Sequence, residues 1–459
     1  MTETFDAIVI GTGQAGPALA VRCGKEGLRT AIIERNRFGG TCVNNGCIPT
    51  KTLIASARAA QIARRGGEYG VVIDAPVHVD MQKVKARKDA VVKGSSDGVK
   101  QWLRSAANVE VIEERAKFVA PRIVQVGDRM ISAPRVFVNV GGRAAVPDIA
   151  GIRDVPFLNN SSMMNVDFVP EHLLVIGGSY IGLEFSQMYR RFGSKVTVCE
   201  MGPRLIGRED EDVSQAIQAI LEREGLDIRV NAKCLALGRS GDYIRMNLDC
   251  TDGAPAVEGS HVLVATGRAP NTHDLGLDLA GVNTDPRGYI VVDDALATNV
   301  EGIYALGDCH GRGAFTHTAW NDYEIVAANL FDGGARKITD RIPAYALFID
   351  PPLGRVGMTE KEVRASGRPA LTSKLSMSRV GRAKEAGETQ GFMKIAVDAQ
   401  SKEILGAAIL GLSGDEVIHS IMEVMYARKP YTVISNGVHI HPTVSEFLPT
   451  LLGGLKPLQ

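Results

Sequence analysis

Residues 6–16 read Asp6-Ala7-Ile8-Val9-Ile10-Gly11-Thr12-Gly13-Gln14-Ala15-Gly16, and residues 172–182 read His172-Leu173-Leu174-Val175-Ile176-Gly177-Gly178-Ser179-Tyr180-Ile181-Gly182. Each is a short apolar run that breaks into glycines and continues with helical spacing. A second apolar strand follows each helix and ends in an acid, Glu34 after Ala31-Ile32-Ile33 and Glu200 after Thr197-Val198-Cys199. The register is shared: 23 residues run from Gly11 to Glu34 and from Gly177 to Glu200, and 18 from Gly16 and from Gly182 to the same acids. A lone glycine turn is a weak signal. Two copies in register fit a pair of dinucleotide-binding βαβ units. The first glycine makes the tight turn, the second lets backbone approach a pyrophosphate, and the third lets helix pack on strand, with the helix N-terminus facing the negative charge. The second copy has Ser179 at the middle position, and its Cβ restricts that approach.

The rest of the chain sorts around these units. Residues 35–70 read as a loop and a long helix, and residues 77–105 as a helix with a basic face. Strand patterns fill 109–140, then 228–237, 243–250 and 262–267. Gly302 to Asp308 is a strand ending in Gly-Asp, and Thr318 to Leu330 reads as a helix. The turn-rich Asp332-Gly333-Gly334-Ala335 suggests that a separate α+β unit starts near 336. Residues 451–459, with two glycines and a proline, are expected to be irregular.

Composition narrows the function classes. The chain has 459 residues, so two to four domains are expected; 45% hydrophobic and 23% charged residues are ordinary for a globular protein. Lys+Arg and Asp+Glu are both 52, which gives no electrostatic case for a nucleic-acid or membrane-surface partner. No apolar run is long enough to span a bilayer, and Met1 to Phe5 carry no secretory pattern, so a cytoplasmic location is expected. Seven cysteines in this length do not make a disulfide framework.

Two of the seven sit together, in Gly39-Gly40-Thr41-Cys42-Val43-Asn44-Asn45-Gly46-Cys47-Ile48-Pro49-Thr50-Lys51. Pro49 suits a first helical turn, which puts Cys47 beside a helix N-terminus whose partial positive charge favours a thiolate. A zinc half-site would need a second ligand cluster, and none with matching spacing follows. Two incidental buried thiols are the bland alternative. A redox-active pair is the reading favoured by its place directly after a dinucleotide unit.

Two dinucleotide units and this Cys-x4-Cys helix resemble the class I pyridine nucleotide-disulfide oxidoreductases, which include dihydrolipoamide dehydrogenase, glutathione reductase and mercuric reductase. The resemblance covers essentially the whole chain. It is carried also by Ala265-Thr266-Gly267-Arg268-Ala269-Pro270-Asn271, by Ala305-Leu306-Gly307-Asp308 and by His441-Pro442-Thr443-Val444-Ser445-Glu446. It implies an α/β fold of two Rossmann-like dinucleotide-binding domains plus a C-terminal α+β dimerisation domain. The implied segments are 1–145 (FAD-binding, first part), 146–266 (NAD(P)-binding), 267–335 (FAD-binding, central part) and 336–459 (dimerisation). Its implied cofactors are FAD on the first unit and a nicotinamide nucleotide on the second, and its implied partner is a second copy of the chain.

Carried over residue by residue, the resemblance places Gly11, Gly13, Gly16, Glu34, Thr41, Lys51, Ala116 and Asp308 at FAD. It places Gly177, Gly182, Glu184 and Glu200 at NAD(P). Lys51 and Glu184 resemble the ion pair beside the flavin, Cys47 the flavin-proximal thiol and Cys42 the thiol that exchanges with substrate. His441 and Glu446 resemble the acid–base pair, which in the family reaches the cysteines from the other subunit. No metal site is assigned. His317 is a candidate for lining the flavin, His439 points away from His441 in an extended segment, and Cys309 reads as a packed small residue. Glu200 would accept from ribose hydroxyls and repel a 2′-phosphate, so NADH is expected over NADPH, with Arg204 and Arg208 nearby to soften that repulsion. The chain resembles the mercuric-reductase-like branch without a terminal cysteine pair, and the expected substrate is a small disulfide, a dithiol or a thiol-bound metal ion such as Hg(II) or Cu(II). A dihydrolipoamide dehydrogenase of a 2-oxoacid dehydrogenase complex is the alternative; a flavin-bearing redox sensor without turnover is the alternative of another class.

Overall fold

The computed structural model describes residues 2–250 and 253–458. Met1, Thr251, Asp252 and Gln459, and with them the outermost bounds of the first and last expected segments, lie outside the described residues. The first glycine unit builds the centre of a five-stranded parallel sheet. Its strand order is Ile303–Ala305, Arg135–Val138, Ala7–Ile10, Thr30–Ile33, Val109–Ile112. Every residue of Ala7–Ile10 and Thr30–Ile33 is buried, as expected of parallel strands covered on both faces. The edge strand Ile303–Ala305 comes from far along the chain and delivers Gly307 and Asp308 to the end of this sheet. The second glycine unit builds a four-stranded parallel sheet in the order Asp227–Arg229, Lys195–Cys199, His172–Ile176, His261–Val264. After the helix Thr316–Phe331 the chain forms a six-stranded antiparallel sheet, Ala344–Leu347, Leu353–Gly357, Ile404–Leu410, Phe392–Asp398, Ala370–Ser376 and Lys456–Pro457.

The helices fall close to their expected places. Cys47–Arg64 and Met81–Ser105 form, the latter capped by Asp80, whose carboxylate accepts from the Lys83 N–H at 3.0 Å. Thr316–Phe331 forms two residues earlier than its pattern suggested. Two expectations need correction. The stretch 228–237 is two strands, Asp227–Arg229 in the parallel sheet and Ala232–Ser240 in an antiparallel hairpin, because Asn231 turns the chain at φ +50°. The tail 451–458 is not irregular: Leu448–Gly453 is a helical turn that buries Leu451 and Leu452, and Lys456–Pro457 pairs with Ala370–Ser376. Apolar contact outweighs the glycine and proline content there. The six-stranded sheet is locked to the second unit by buried charge: the Arg355 guanidinium, 4% exposed, donates to Glu209 at 3.0 Å. Lys394, equally buried, lies 3.2 Å from Asp210.

Candidate active site

The first strand–glycine turn ends against a cleft of about 1030 Å³, lined by Gly11, Gly13, Glu34, Thr41, Ala116 and Asn139 among others. Its floor is shaped by missing side chains. A Cβ on Gly11, at φ +102°, would lie 2.5 Å from the Asn139 carbonyl oxygen, and one on Gly16 would lie 2.2 Å from the Gly11 carbonyl oxygen. Gly16 therefore sits behind the wall, packing helix on strand. Glu34 holds the turn: its carboxylate accepts from the Thr12 N–H at 2.9 Å and hydroxyl at 2.6 Å, and from the Asn36 N–H at 2.9 Å. The Asn139 amide nitrogen is buried without a hydrogen-bond partner and lies 3.0 Å from where a Gly13 Cβ would be. A buried orphan donor at a glycine cradle is an invitation to an anionic or carbonyl-bearing ligand, and these residues fit an FAD. Asp308 does not itself line the cleft; its carboxylate is held by Arg268, which does, at 3.1 and 3.2 Å.

Cys42 lies in the short helix Gly40–Asn44 and Cys47 is the first residue of the helix Cys47–Arg64. Both are free thiols and partly buried. The Cys42 thiol donates to Cys47, which pulls the Cys47 pKa down to about 6 against the opposing effect of burial. The Thr316 hydroxyl, 3.1 Å from the Cys47 sulfur, and the Lys51 ammonium add to the depression. The Cys42 pKa is raised, first by that same bond and then by burial. The pair is thus split into a thiolate and a protonated thiol. Lys51 and Glu184 meet at 2.8 Å, with Glu184 only 5% exposed. Glu184 also accepts from the Phe348 N–H at 3.1 Å, and the Lys51 ammonium lies 4.4 Å from the Phe348 ring. The pair therefore joins the Cys47 helix, the second glycine unit and the C-terminal sheet.

The second unit repeats the cradle with less enclosure. A Cβ on Gly177, at φ +114°, would lie 2.5 Å from the Ala265 carbonyl oxygen, and one on Gly182 would lie 2.0 Å from that of Gly177. Ser179 stands exposed at the helix N-cap position, and its side chain makes no capping bond. Glu200 accepts from the Gly178 and Gly202 N–H groups, each at 2.7 Å. Arg204 is half-buried in the loop beyond and Arg208 is exposed.

His441 stands far from this cluster in sequence, in the last subdomain. Its Nδ1 lies 2.9 Å from Glu446, whose side chain is 16% exposed, whereas the imidazole is 78% exposed. Among the described residues neither bonds to Cys42 or Cys47 within one chain. His439 turns back onto the Ile434 carbonyl at 2.9 Å. His317 stacks on Phe315 and bonds the Ala344 carbonyl, with its pKa lowered by burial. Cys309 is fully buried, its thiol pushed up to about 12 by burial and bonded to the Leu306 carbonyl. Among the described residues no cluster of three metal-ligating side chains forms, and no helix is long and apolar enough to cross a membrane. Sequence reasoning did not single out Asn139, Thr316 or Arg268 for the site. Arg268 stood inside a quoted motif; for Asn139 and Thr316 only the fold supplies the neighbour that gives them meaning.

The pyridine nucleotide-disulphide oxidoreductase family model matches residues 5–322, and that family's dimerisation domain matches residues 343–452. The chain is 35% identical to the probable pyridine nucleotide-disulfide oxidoreductase RclA of Escherichia coli, over 98% of this chain and 99% of that one. It is 31% identical to the dihydrolipoyl dehydrogenase of Chlamydia muridarum, over 97% and 96%. It is 30% identical to a mercuric reductase of Staphylococcus aureus, over 98% of this chain and 81% of that one. A solved structure of the E. coli protein, a Cu(II) complex of the HOCl-induced flavoprotein disulfide reductase RclA, superposes with a TM-score of 0.89 at 34% identity and covers 98% of this chain and 99% of that one. Both family models and these full-length relatives agree, and the chain belongs to the class I pyridine nucleotide-disulfide oxidoreductases, FAD-dependent enzymes that use a pyridine nucleotide and carry a C-terminal dimerisation domain.

Proposed function

We propose that this enzyme carries electrons from NADH through FAD and the Cys42–Cys47 pair to a small disulfide or a thiol-bound metal ion. The observation that carries the reading is the split of the pair, a depressed Cys47 at a helix N-terminus against a protonated Cys42. In this reading residues 1–145 and 267–335 together hold FAD, residues 146–266 hold the nicotinamide nucleotide, and residues 336–459 form the dimer. Bound FAD supplies the two-electron exchange between a nicotinamide and a thiol pair. Gly11, Gly13 and Gly16 would form the turn that holds it, Glu34 would meet the adenosine ribose and Ala116 the adenine, Asp308 the ribityl chain, and Thr41, Lys51 and Glu184 would stand near the flavin. Cys47, kept as a thiolate, is the flavin-side sulfur. Cys42 keeps its proton until it attacks the substrate sulfur, and His441 of the partner subunit takes that proton. Glu446 on Nδ1 requires an N–H there, which leaves Nε2 as the base.

Two further points belong to the same reading. Glu200 favours NADH because a carboxylate at the ribose repels a 2′-phosphate. The solved Cu(II) complex of RclA makes Cu(II) a ligand to try beside Hg(II). A steady-state panel decides the substrate: dihydrolipoamide, glutathione disulfide, Hg(II), Cu(II) and quinones, each with NADH and NADPH. Efficient turnover of dihydrolipoamide alone would replace the reading with a dihydrolipoamide dehydrogenase. A flavin that NADH reduces but no acceptor on the panel reoxidises would replace it with a sensor.

A further inference from the structure

We propose that Asp322 is a positioning residue for the flavin: it fixes the turn that carries Asp308 and ties that turn to the dimerisation domain. The proposal rests on Asp308 being an FAD ligand. Asp322 lies on the helix Thr316–Phe331 and is 1% exposed. One of its oxygens, Oδ2, accepts from the Gly307 N–H at 2.7 Å and from His310 Nε2 at 2.9 Å. These are the two ends of the single 3₁₀ turn Gly307–His310. His310 Nδ1 accepts from the Arg312 N–H at 3.1 Å, so Nε2 is the nitrogen that carries the proton toward Asp322. Asp308 stands between the two anchored ends, with its carboxylate on Arg268 at the edge of the cleft.

The other oxygen, Oδ1, takes the Arg341 guanidinium. Arg341 also donates from Nε to Asn321 at 2.7 Å. It stands just ahead of the strand Ala344–Leu347 that opens the C-terminal sheet. A carboxylate is buried this deeply only when its lone pairs are taken. Here every partner either shapes the Asp308 turn or leads into the dimerisation domain. One buried side chain therefore sets where Asp308 stands and couples it to the part of the molecule that pairs two subunits.

The test is a double-mutant cycle on FAD release, followed by the rise of flavin fluorescence when the holoprotein is diluted, for wild type, D308A, D322N and D308A/D322N. D322N keeps the size, loses the charge and turns one acceptor into a donor. It is expected to weaken FAD by about 10- to 100-fold, the worth of one charge-assisted hydrogen bond. In the D308A background that loss should shrink to about threefold or less, because the residue through which Asp322 acts is gone. The conservative D322E should recover part of the affinity. Equal losses in both backgrounds, or FAD affinity unchanged by D322N, would overturn the proposal. Should D322N not fold, R341Q leaves both turn donors in place and reads the other limb. It is expected to weaken FAD and the dimer together, and dimer weakening with unchanged FAD affinity would overturn the coupling. A wild type that holds no FAD at all would overturn the FAD reading and this proposal with it, an outcome distinct from a flavoprotein in which the cycle shows no coupling.

Discussion

The two glycine units share their spacing to the residue and differ in what surrounds them. Gly13 of the first unit sits against a buried, partnerless Asn139 amide at the floor of a cleft of about 1030 Å³. The corresponding Ser179 of the second unit is exposed, although Glu200 is held as Glu34 is, with both oxygens accepting from neighbouring backbone N–H groups. A ligand on the first would lie in an open cleft; one on the second would meet the exposed Ser179 at its turn. The fingerprint therefore says that a dinucleotide fits, while the walls around it decide whether that dinucleotide stays or exchanges.

The largest expected effect separates the electron input from the disulfide output. General acid–base catalysis contributes roughly 10²–10⁴-fold, so His441→Ala should slow disulfide turnover by about that much while stopped-flow reduction of the flavin by NADH stays nearly unchanged. An equal loss in both half-reactions would remove His441 from the acid–base role. Mixing Cys42→Ser chains with His441→Ala chains should restore activity in heterodimers, since one site is then intact; no recovery in proven heterodimers would place His441 in its own subunit.

Next in size, the two cradles can be filled one at a time. An added Cβ at Gly16 or Gly182 meets a carbonyl oxygen at 2.2 or 2.0 Å, and overpacking of this kind costs about 1–3 kcal/mol. Gly16→Ala should weaken FAD by about 10- to 100-fold. Gly182→Ala should leave the protein yellow and raise KM for NADH by about the same factor. Loss of flavin from the Gly182 variant would mean that the two units are not independent.

The cysteines give a spectroscopic outcome. In flavin-loaded, two-electron-reduced protein a long-wavelength thiolate–flavin absorbance is expected, and Cys42→Ser should show it without reductant, whereas Cys47→Ser should not. The Cys47 pKa is depressed by folding, so its thiolate contributes stability above the ordinary thiol range and loses that contribution as pH falls through about 6. The absorbance should fade over the same interval. A band already lost at pH 8 would contradict the bond from Cys42, which is the largest cause of the depression. The smallest effect is on nucleotide choice: Glu200→Ala should shift the ratio of kcat/KM for NADH over NADPH toward NADPH by about tenfold, one charge-assisted hydrogen bond. A wild type that prefers NADPH would refute the Glu200 argument and leave Arg204 and Arg208 as the readers of the phosphate.

Much of this was legible locally. The glycine units, the Cys47 helix and the strand into Gly307-Asp308 announce themselves because each carries its pattern in a short stretch of chain: a glycine turn after an apolar strand, a proline in a first helical turn, an apolar run. The tail was misjudged because its order depends on the strand Ala370–Ser376, far away in the chain. The stretch 228–237 was misjudged because periodicity does not mark the residue at which a strand leaves one sheet for another.

What the sequence by itself determined is therefore the kind of chemistry: two dinucleotide cradles, a thiol pair at a helix N-terminus and a histidine with its carboxylate. Only the tertiary structure decided which groups meet. Thr316 reaches Cys47 across 269 residues, Lys51 reaches Glu184 across 133, and Asn139 closes the floor under Gly13. Those contacts add to the depression of the Cys47 pKa that Cys42 begins, and they shape the floor of the cleft. They follow from how sheets and helices pack, since hydrogen bonds and charges act over a few ångströms of space whatever the distance along the chain.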